Sequence, residues 1–262
     1  MSADPVSALR NAYIDLLQRT LTNYAYLGGV AAFDDFRAVT HYDLEQSSWT
    51  VDPQSRPLTL LTRPQLDLVG AAILDLQHRG VRGDLIEAGV WRGGCIAFMR
   101  GVLEAHGIPG RRVFAADSFA GIPLNTRAVN DPVDQWKDRW VAGLEEVKAN
   151  IARFGLLDER VRFVPGFFAD SLKALSSERF ALVRLDSDSY DSVETSLQHL
   201  YPLVPPGGVV IIDDWHLAGC RQAVLDYRAR HGVRDQITEY AANAYWVKQK
   251  NHTLPGLDAV PR

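Results

Sequence analysis

The chain has 262 residues, 47% of them hydrophobic, which is enough to bury the core of one large domain. Its formal net charge of −4 argues against a nucleic-acid-binding protein, because surfaces that follow a phosphate backbone need clustered lysine and arginine. No apolar stretch approaches the ~20 residues that span a bilayer and no signal-peptide pattern is present, so we expect a cytoplasmic protein that does not act at a membrane and whose two cysteines stay reduced.

The first part of the chain combines a helix with a long irregular segment. Apolar residues in 9–24 recur with helical spacing and predict an amphipathic helix. In 33–61 this periodicity fades, and a loop of this length is often a lid or a binding segment. A second helix is predicted for 64–80, with a proline in its first turn. We therefore divide the chain into an N-terminal helix and lid segment, 1–63, and a main domain, 64–262.

From residue 85 onwards the pattern alternates between strands and helices. Short apolar runs predict strands, and the segments between them carry apolar residues at helical spacing. Two late runs, 237–240 and 244–247, could add antiparallel edge strands. Repeated strand–helix units predict an α/β fold, with a doubly wound, mostly parallel sheet and helices on both faces. The five main predicted strands are 85–89, 113–116, 161–164, 180–185 and 209–212.

Carboxylates follow the last two of these parallel strands. Asp186 and Asp188 follow one strand, and Asp213 and Asp214 follow the other. Because the carboxyl ends of neighbouring parallel strands meet at one edge of a sheet, these acids could share Mg²⁺, which prefers oxygen ligands. For Asp186 and Asp213 a purely structural role is less satisfactory, since an acid directly after a buried run needs a partner.

Other polar residues nearby have simpler interpretations. Asp191 and Glu194 have the spacing of a helix capping box, and we assign them no chemistry. Asp214 could also cap the helix that follows it. A bound cation would lower the pKa of a substrate hydroxyl, and Asp188 is our candidate for the base that removes the proton. His216 is an alternative base, although its position favours an exposed residue at the start of a helix.

The turn that begins at Glu87, after the first predicted strand, is rich in glycine. Gly89 and Gly93 would let the backbone approach a ligand closely, and an acid beside them suits a cationic amino-acid tail. A tight structural turn explains the same pattern about as well. Asp117 ends the second strand, where a carboxylate can accept both hydroxyls of a ribose, unless it or Ser118 only caps the next segment. Together these features favour a nucleoside cofactor such as S-adenosylmethionine.

Taken together, these motifs resemble the macrocin O-methyltransferase family of antibiotic-tailoring enzymes. The resemblance covers nearly the whole chain, and the combination of motifs is highly specific. It is carried by residues 16–24, 85–94, 116–123, 154–158, 200–202, 206–208, 211–214 and 220–224.

The resemblance implies a class I, Rossmann-like methyltransferase that uses S-adenosylmethionine and Mg²⁺ to methylate a sugar hydroxyl of a glycosylated small molecule, typically a macrolide or an aminocoumarin. It implies that Asp186, Asp213 and Asp214 are metal ligands and that Asp188 is the base. It also implies a homodimer whose N-terminal segment covers the site. The residues that it places at the cofactor are Glu87, Gly89, Val90, Trp91, Gly93, Asp117, Ser118, Gly166, Phe167 and Asp186.

The resemblance is weakest in 33–61. There the family carries a His-Thr-Met-Ile-Gly-like stretch, and this chain has Pro57–Thr62 in its place, without the histidine. Because lids shape specificity, this difference leaves the acceptor open. Trp49, Trp136 and Trp140 could form an apolar wall for a bulky acceptor, or they could simply pack within the fold.

Two other functions stay open at this point. The sequence Asp186-Ser187-Asp188-Ser189 after an apolar strand also resembles the nucleophile loop of haloacid-dehalogenase-type, Mg²⁺-dependent phosphohydrolases, which form an aspartyl-phosphate. That interpretation leaves the glycine turn and Asp117 unexplained. A binding protein that keeps the fold without catalysis is the third possibility, and the complete set of acids argues against it.

Overall fold

Seven strands form one sheet in the residues that the computed structural model describes, 4–26, 57–123, 140–250 and 252–257. In chain order, strands β1 to β7 span Asp84–Ala88, Val113–Asp117, Val161–Pro165, Phe180–Leu185, Val209–Ile212, Thr238–Tyr240 and Asn243–Val247. The described α-helices, α1 to α7, span Pro5–Leu21, Arg63–His78, Gly94–Ala105, Leu144–Arg153, Phe168–Ser171, Tyr190–Leu200 and Ala218–His231. Strands alternate with helices along most of the chain, which confirms the predicted α/β fold.

The order of strands across the sheet is β3-β2-β1-β4-β5-β7-β6. The first five strands are parallel: β2 and β3 are added on one side of β1, and β4 then returns to its other side. Ligands of such sheets bind outside the carboxyl ends of the strands, at the point where the order reverses. The two late strands are antiparallel, as predicted. Of these two strands only β6 lies at an edge of the sheet, however, because β7 is buried between β5 and β6.

Helices cover both faces of the sheet, as the doubly wound prediction requires. On one face the core contains side chains of α2 and α3, among them Ile73 and Phe98. On the other face α6 and α7 contribute Val193 and Val224. This burial on both sides explains why β4 and β5 are continuous buried runs rather than alternating ones. None of the described helices has the length and apolar composition needed to cross a bilayer.

Helix α1 is present as predicted, but it buries only part of the predicted apolar stripe. Leu17 and Leu21 enter the core, whereas Leu9 and Leu16 are 73% and 58% exposed. The reason lies at Gly101 of α3, which has no side chain where Leu17 packs. Ile14 also packs against this core, whereas Val6, Leu9 and Leu16 stay exposed. The proposed division of the chain at residue 63 stays a prediction.

The segment before α2 joins α1 to the glycine turn. The Leu58 N–H donates to the Leu21 carbonyl at 2.8 Å, and the Leu58 carbonyl accepts from the Gly94 N–H at 3.0 Å. Arg92 Nη1 donates to the Pro57 carbonyl at 3.1 Å. The end of the predicted lid is thus fixed to the core. Most of that lid lies outside the described residues, so its role stays a prediction.

The close contact between β1 and β4 can be tested at Gly89. This glycine has φ +93°, and a β-carbon there would overlap the carbonyl oxygen of Asp186. Gly107 is the matched control, because it has φ +58° with nothing within 4 Å of a β-carbon. We expect Gly107→Ala to lose about 1–2 kcal/mol of unfolding free energy through backbone strain alone. Gly89→Ala should lose more than ~4 kcal/mol or fail to fold, as judged by urea unfolding.

Equal losses in the two variants would contradict this account. They would mean that the strands can separate locally to admit a methyl group without disturbing the rest of the sheet.

Candidate active site

The residues that follow β1, β4 and β5 are held side by side by backbone hydrogen bonds. The Asp186 N–H donates to the Ala88 carbonyl at 2.8 Å, and the Asp213 N–H donates to the Leu185 carbonyl at 2.9 Å. Gly89 lies directly against the backbone of Asp186. The structure therefore brings the glycine turn and the acids together at one edge of the sheet, which we call the carboxyl edge. This edge includes the point at which the strand order reverses.

The glycine turn between β1 and α3 is fastened to β2. The N–H groups of Val90 and Trp91 donate to Asp117 Oδ2, at 2.7 and 3.2 Å. Trp91 and Gly93 adopt positive φ angles, 45° and 87°. Helix α3 then begins without a side-chain cap. Such a helix N-terminus, preceded by a tight turn, is suited to approach by a polar ligand.

The predicted ribose ligand, Asp117, also has a structural role. Besides the two bonds to the glycine turn, its Oδ1 accepts from the Phe119 N–H at 2.8 Å. Ser118 Oγ donates to the Gly121 carbonyl at 2.6 Å and stabilises the turn after β2. Because a carboxylate offers about four lone-pair positions, these bonds leave Asp117 able to accept from a ligand hydroxyl.

The loop after β3 completes this part of the carboxyl edge. The Gly166 N–H donates to the Asp117 carbonyl at 2.9 Å, and Ser171 Oγ donates to the Gly166 carbonyl at 2.9 Å. Phe167 follows, with 47% of its surface exposed. The two residues predicted to lie near the adenine are therefore at the same edge as the glycine turn.

Glu87 is the most deeply buried acid of the site. It is 1% exposed, and its Oε1 accepts from Arg184 Nη1. Within the described residues its Oε2 has no hydrogen-bond partner. Burial raises the pKa of Glu87 to about 8, although Arg184 and a hydrogen bond with the Cys95 thiol oppose the shift. A buried carboxylate oxygen without a donor is costly, so this atom suits a cationic ligand such as the ammonium of an amino-acid tail.

Several of the acids that follow β4 and β5 form a cluster. One carboxylate oxygen from each of Asp186, Asp188 and Asp214 lies within 4.8 Å of the others. Burial and the neighbouring Asp213 raise the pKa of Asp186 to about 6. Burial, with Asp188 next, raises the pKa of Asp214 well above its usual range. Carboxylates that repel one another in this way are a donor set that fits a hard cation such as Mg²⁺.

Asp188 occupies a strained turn. It has φ +57°, and the N–H of Ser189 donates to the carbonyl of Ser187 at 2.6 Å across it. This is the pattern of a γ-turn, whose form with positive φ at the centre is rare. The Asp188 N–H also approaches Asp214 Oδ2, at 3.3 Å. Strain of this kind is typical of functional sites, and here it places the predicted base among the predicted metal ligands.

Asp213 is placed differently from the other acids. Its Oδ1 forms an ion pair with Arg184 Nη2 at 2.5 Å, without the alignment of a hydrogen bond. The sequence analysis missed Arg184, because this residue lies inside what looks like a continuous apolar strand. The signal was present, however: a single arginine in a strand that is buried on both faces needs anionic partners.

The helix-cap interpretations need correction. Ser189, not Asp191, caps α6 through its side chain, because the helix begins at residue 190 and Asp191 lies within its first turn. Glu194 pairs with an arginine of α7 instead of completing a capping box. Asp214 does not cap α7 either, since that helix begins four residues later. His216 is exposed, as expected.

One of the three tryptophans singled out in the sequence lies beside the glycine turn. The ring of Trp140 packs edge-to-face against Trp91, with 5.7 Å between the ring centroids. Trp49 and Trp136 lie outside the described residues. The apolar wall for an acceptor therefore stays a prediction.

Comparisons with known proteins agree with this geometry. A family model described as macrocin-O-methyltransferase (TylF) matches residues 10–249. The chain is 40% identical to the 8-demethyl-8-(2,3-dimethoxy-alpha-L-rhamnosyl)-tetracenomycin-C 4'-O-methyltransferase of Streptomyces olivaceus, over 90% of this chain and 92% of that protein. It is 36% identical to the mycinamicin III 3''-O-methyltransferase of Micromonospora griseorubida, over 89% and 95%. The solved structure of the O-methyltransferase NovP superposes with a TM-score of 0.77 at 31% identity, over 92% of this chain and all of that one.

The buried state of Glu87 makes a prediction about stability and pH. Its pKa is 4.5 for an ordinary glutamate and about 8 in the folded protein, so between these values the folded protein holds a proton that the unfolded chain releases. The contribution of Glu87 to stability is thus fully present below pH 4.5 and is lost as the pH rises through about 8. Glu87→Gln should remove this loss.

In thermal unfolding without ligand or metal, we expect Glu87→Gln to match the wild type near pH 4.5 and to exceed its Tm at pH 8 by at least ~2–4 °C, which corresponds to about 1 kcal/mol for a chain of this size. Glu145→Gln is the control, because that glutamate lies on the surface of α4. Parallel pH profiles for the wild type and Glu87→Gln would contradict the prediction.

Proposed function

Because this chain belongs to the macrocin-O-methyltransferase family and is an O-methyltransferase, we propose that it transfers the methyl group of S-adenosylmethionine to a sugar hydroxyl of a glycosylated natural product. One observation carries the proposal. Glu87 Oε2, a buried carboxylate oxygen without a hydrogen-bond partner among the described residues, lies on the same edge as an acid cluster that fits a hard cation. The activities for which the two relatives are named, those of a tetracenomycin and a mycinamicin O-methyltransferase, support the class of acceptor.

The cofactor half of the site consists of the glycine turn and the ends of β1, β2 and β3. Glu87 Oε2 would accept from the ammonium of the cofactor, and Asp117 would accept from a ribose hydroxyl. The turn lets the cofactor approach the backbone closely because glycine has no β-carbon there. Phe167 offers an aromatic surface to the adenine. The remaining proposed contacts are Gly89, Val90, Trp91, Gly93, Ser118, Gly166 and Asp186.

The metal half consists of the residues after β4 and β5. Asp186, Asp213 and Asp214 would hold Mg²⁺, which when bound lowers the pKa of an acceptor hydroxyl. S-adenosylmethionine, when bound, would supply the methyl group. Asp188 would accept the proton of the acceptor hydroxyl, whose oxygen would bond to the methyl carbon as the bond from that carbon to sulfur breaks. The γ-turn holds the Asp188 carboxylate beside the ligand set, so no rearrangement is needed for the proton transfer.

The phosphohydrolase alternative is not favoured. The family and the relatives are methyltransferases. In addition, the Asp186 loop follows the fourth strand of the sheet, whereas the aspartate nucleophile loop of the alternative usually follows the first strand of its domain.

We further propose a homodimer in which α1 contacts a second copy of the chain. The support is an exposed apolar face made of Val6, Leu9, Tyr13 and Leu16, since clustered exposed apolar side chains mark interaction surfaces. We also propose a cytoplasmic location. The free thiols of Cys95 and Cys220 support it, because disulfides are rare in that compartment.

The proposed function is tested by methyl transfer from S-adenosylmethionine to a panel of glycosylated natural products and their aglycones. We expect transfer to glycosylated acceptors in Mg²⁺, loss of transfer in EDTA, and recovery with excess Mg²⁺. Asp188→Asn is the matched variant, because asparagine also tolerates positive φ. Its kcat should fall by about 10²–10⁴ with unchanged affinity for S-adenosylhomocysteine.

Full activity in EDTA would overturn the metal role. Transfer to aglycones alone would overturn the sugar acceptor, and an active Asp188→Asn variant would overturn the assignment of the base.

The dimer is tested by light scattering on purified protein. Leu9→Arg should shift the mass from dimer to monomer while leaving Tm within a few degrees, because this side chain is largely exposed. Leu225→Arg on α7 is the control, since Leu225 is also exposed but lies on another helix. A dimeric Leu9→Arg variant, or a monomeric wild type, would contradict the proposal.

A further inference from the structure

Arg184 lies where the two halves of the site meet. It is completely buried in β4, and in the parallel register it stands directly beside Glu87 of β1. Asp186 is two residues further along, so the alternation of the strand directs it to the same face as Arg184. The guanidinium therefore lies between the proposed cofactor acid and the proposed metal acids.

The contacts of Arg184 join three acids to one group. Nη1 donates both to Glu87 Oε1 and, at 2.9 Å, to Asp186 Oδ2. Nη2 lies 2.5 Å from Asp213 Oδ1. Arginine is suited to this task because its charge is permanent and its donors are fixed in one plane. A change in the charge of any one of these acids must alter how strongly the guanidinium attracts the others.

The three contacts are not equivalent. The bonds to Glu87 and Asp186 have hydrogen-bond geometry, whereas the contact with Asp213 is an ion pair without that alignment. Asp213 is thus the acid that Arg184 can release most easily to a divalent cation, which attracts a carboxylate oxygen more strongly than a single positive charge does.

We propose that Arg184 is a positioning residue: it ties Glu87 of the cofactor half to the metal half, and a bound metal ion takes Asp213 over from it. This inference rests on the proposed function, because it requires that both halves bind their ligands. Its consequence is that the metal site senses the charge of Glu87 through Arg184. When Glu87 is neutralised, the guanidinium is attracted more strongly to the metal acids and competes with the metal ion.

A purely structural role for Arg184 predicts something else. Buried ion pairs often contribute little net stability, and removing one partner destabilises the fold without any specific effect on a ligand. Under that interpretation, Glu87 would influence the metal only directly, through space. The two interpretations differ in whether the effect of Glu87 on metal affinity depends on Arg184.

The test is a double-mutant cycle on metal binding without cofactor. At a pH above the pKa of about 8 at which Glu87 ionises, Mn²⁺, which has ligand preferences similar to those of Mg²⁺, is titrated by electron paramagnetic resonance into the wild type, Glu87→Gln, Arg184→Lys and the double variant. We expect Glu87→Gln to weaken Mn²⁺ binding by about fivefold or more in the wild-type background. In the Arg184→Lys background the same change should have little effect, because the compact ammonium lacks the two separate nitrogens with which the planar guanidinium reaches the three acids.

Arg100→Lys is the control for destabilisation alone. Arg100 is another buried arginine, bound to Asp158 at 2.7 Å in a different part of the fold. Its replacement should lower Tm without changing the affinity for Mn²⁺. A changed Mn²⁺ affinity in Arg100→Lys would mean that stability alone moves the readout, and it would overturn the inference.

The remaining outcomes are also decisive. Additive effects of Glu87→Gln and Arg184→Lys overturn the inference and leave the proposed function intact, provided that the wild type binds both Mn²⁺ and S-adenosylhomocysteine. A wild type that binds neither overturns both proposals. If Arg184→Lys does not fold, Asp213→Asn takes its place in the cycle, because it removes one of the metal acids that Arg184 contacts. A smaller effect of Glu87→Gln on Mn²⁺ affinity in that background supports the inference, and an equal effect overturns it.

Discussion

The acids of the candidate site are held together by the ion pairs of one guanidinium, that of Arg184, which is buried inside the sheet. Like charges at the distances found at the carboxyl edge repel strongly where water is excluded. Arg184 offsets part of that repulsion, and it does so from within β4, so the backbone fixes its position relative to β1 and β5. The acids can therefore lie close enough to act together even before a ligand arrives. Burial, with a contribution from neighbouring acids, still raises the pKa of Glu87 to about 8 and that of Asp186 to about 6, so Arg184 compensates only in part.

The sequence predicted those features that depend on neighbouring residues in the chain. Strands β4 and β5 were predicted with their correct limits, because a strand buried on both faces is an uninterrupted apolar run that ends where polar residues begin. What it could not predict depends on contacts between distant segments. The partners of Arg184 follow from the register of β1 against β4, and the backbone bonds of Asp117 follow from the packing of the glycine turn. The exposed face of α1 follows from which side of that helix meets Gly101.

The site combines a rigid frame with local strain. Backbone hydrogen bonds hold adjacent strand ends together, so that Gly89 stays in direct contact with the backbone of Asp186. Asp188 is held in a rare turn beside them. A strained turn persists only when the surrounding structure fixes it. Here the hydrogen bonds between the strand ends at the carboxyl edge do so. The orientation of the proposed base is thus set by folding, and the free energy for it comes from the core rather than from the ligand.

The hydrogen bond between Leu58 and Leu21 has an evolutionary consequence. It holds residue 58 beside residue 21, so the two points of the core that the intervening chain connects lie next to each other. Doubling the length of a loop whose ends already meet costs only ~0.6 kcal/mol in closure entropy. A segment inserted in this way can be exchanged or extended while the sheet stays unchanged. New acceptor preferences could therefore arise by replacing one module, without rebuilding the machinery for methyl transfer.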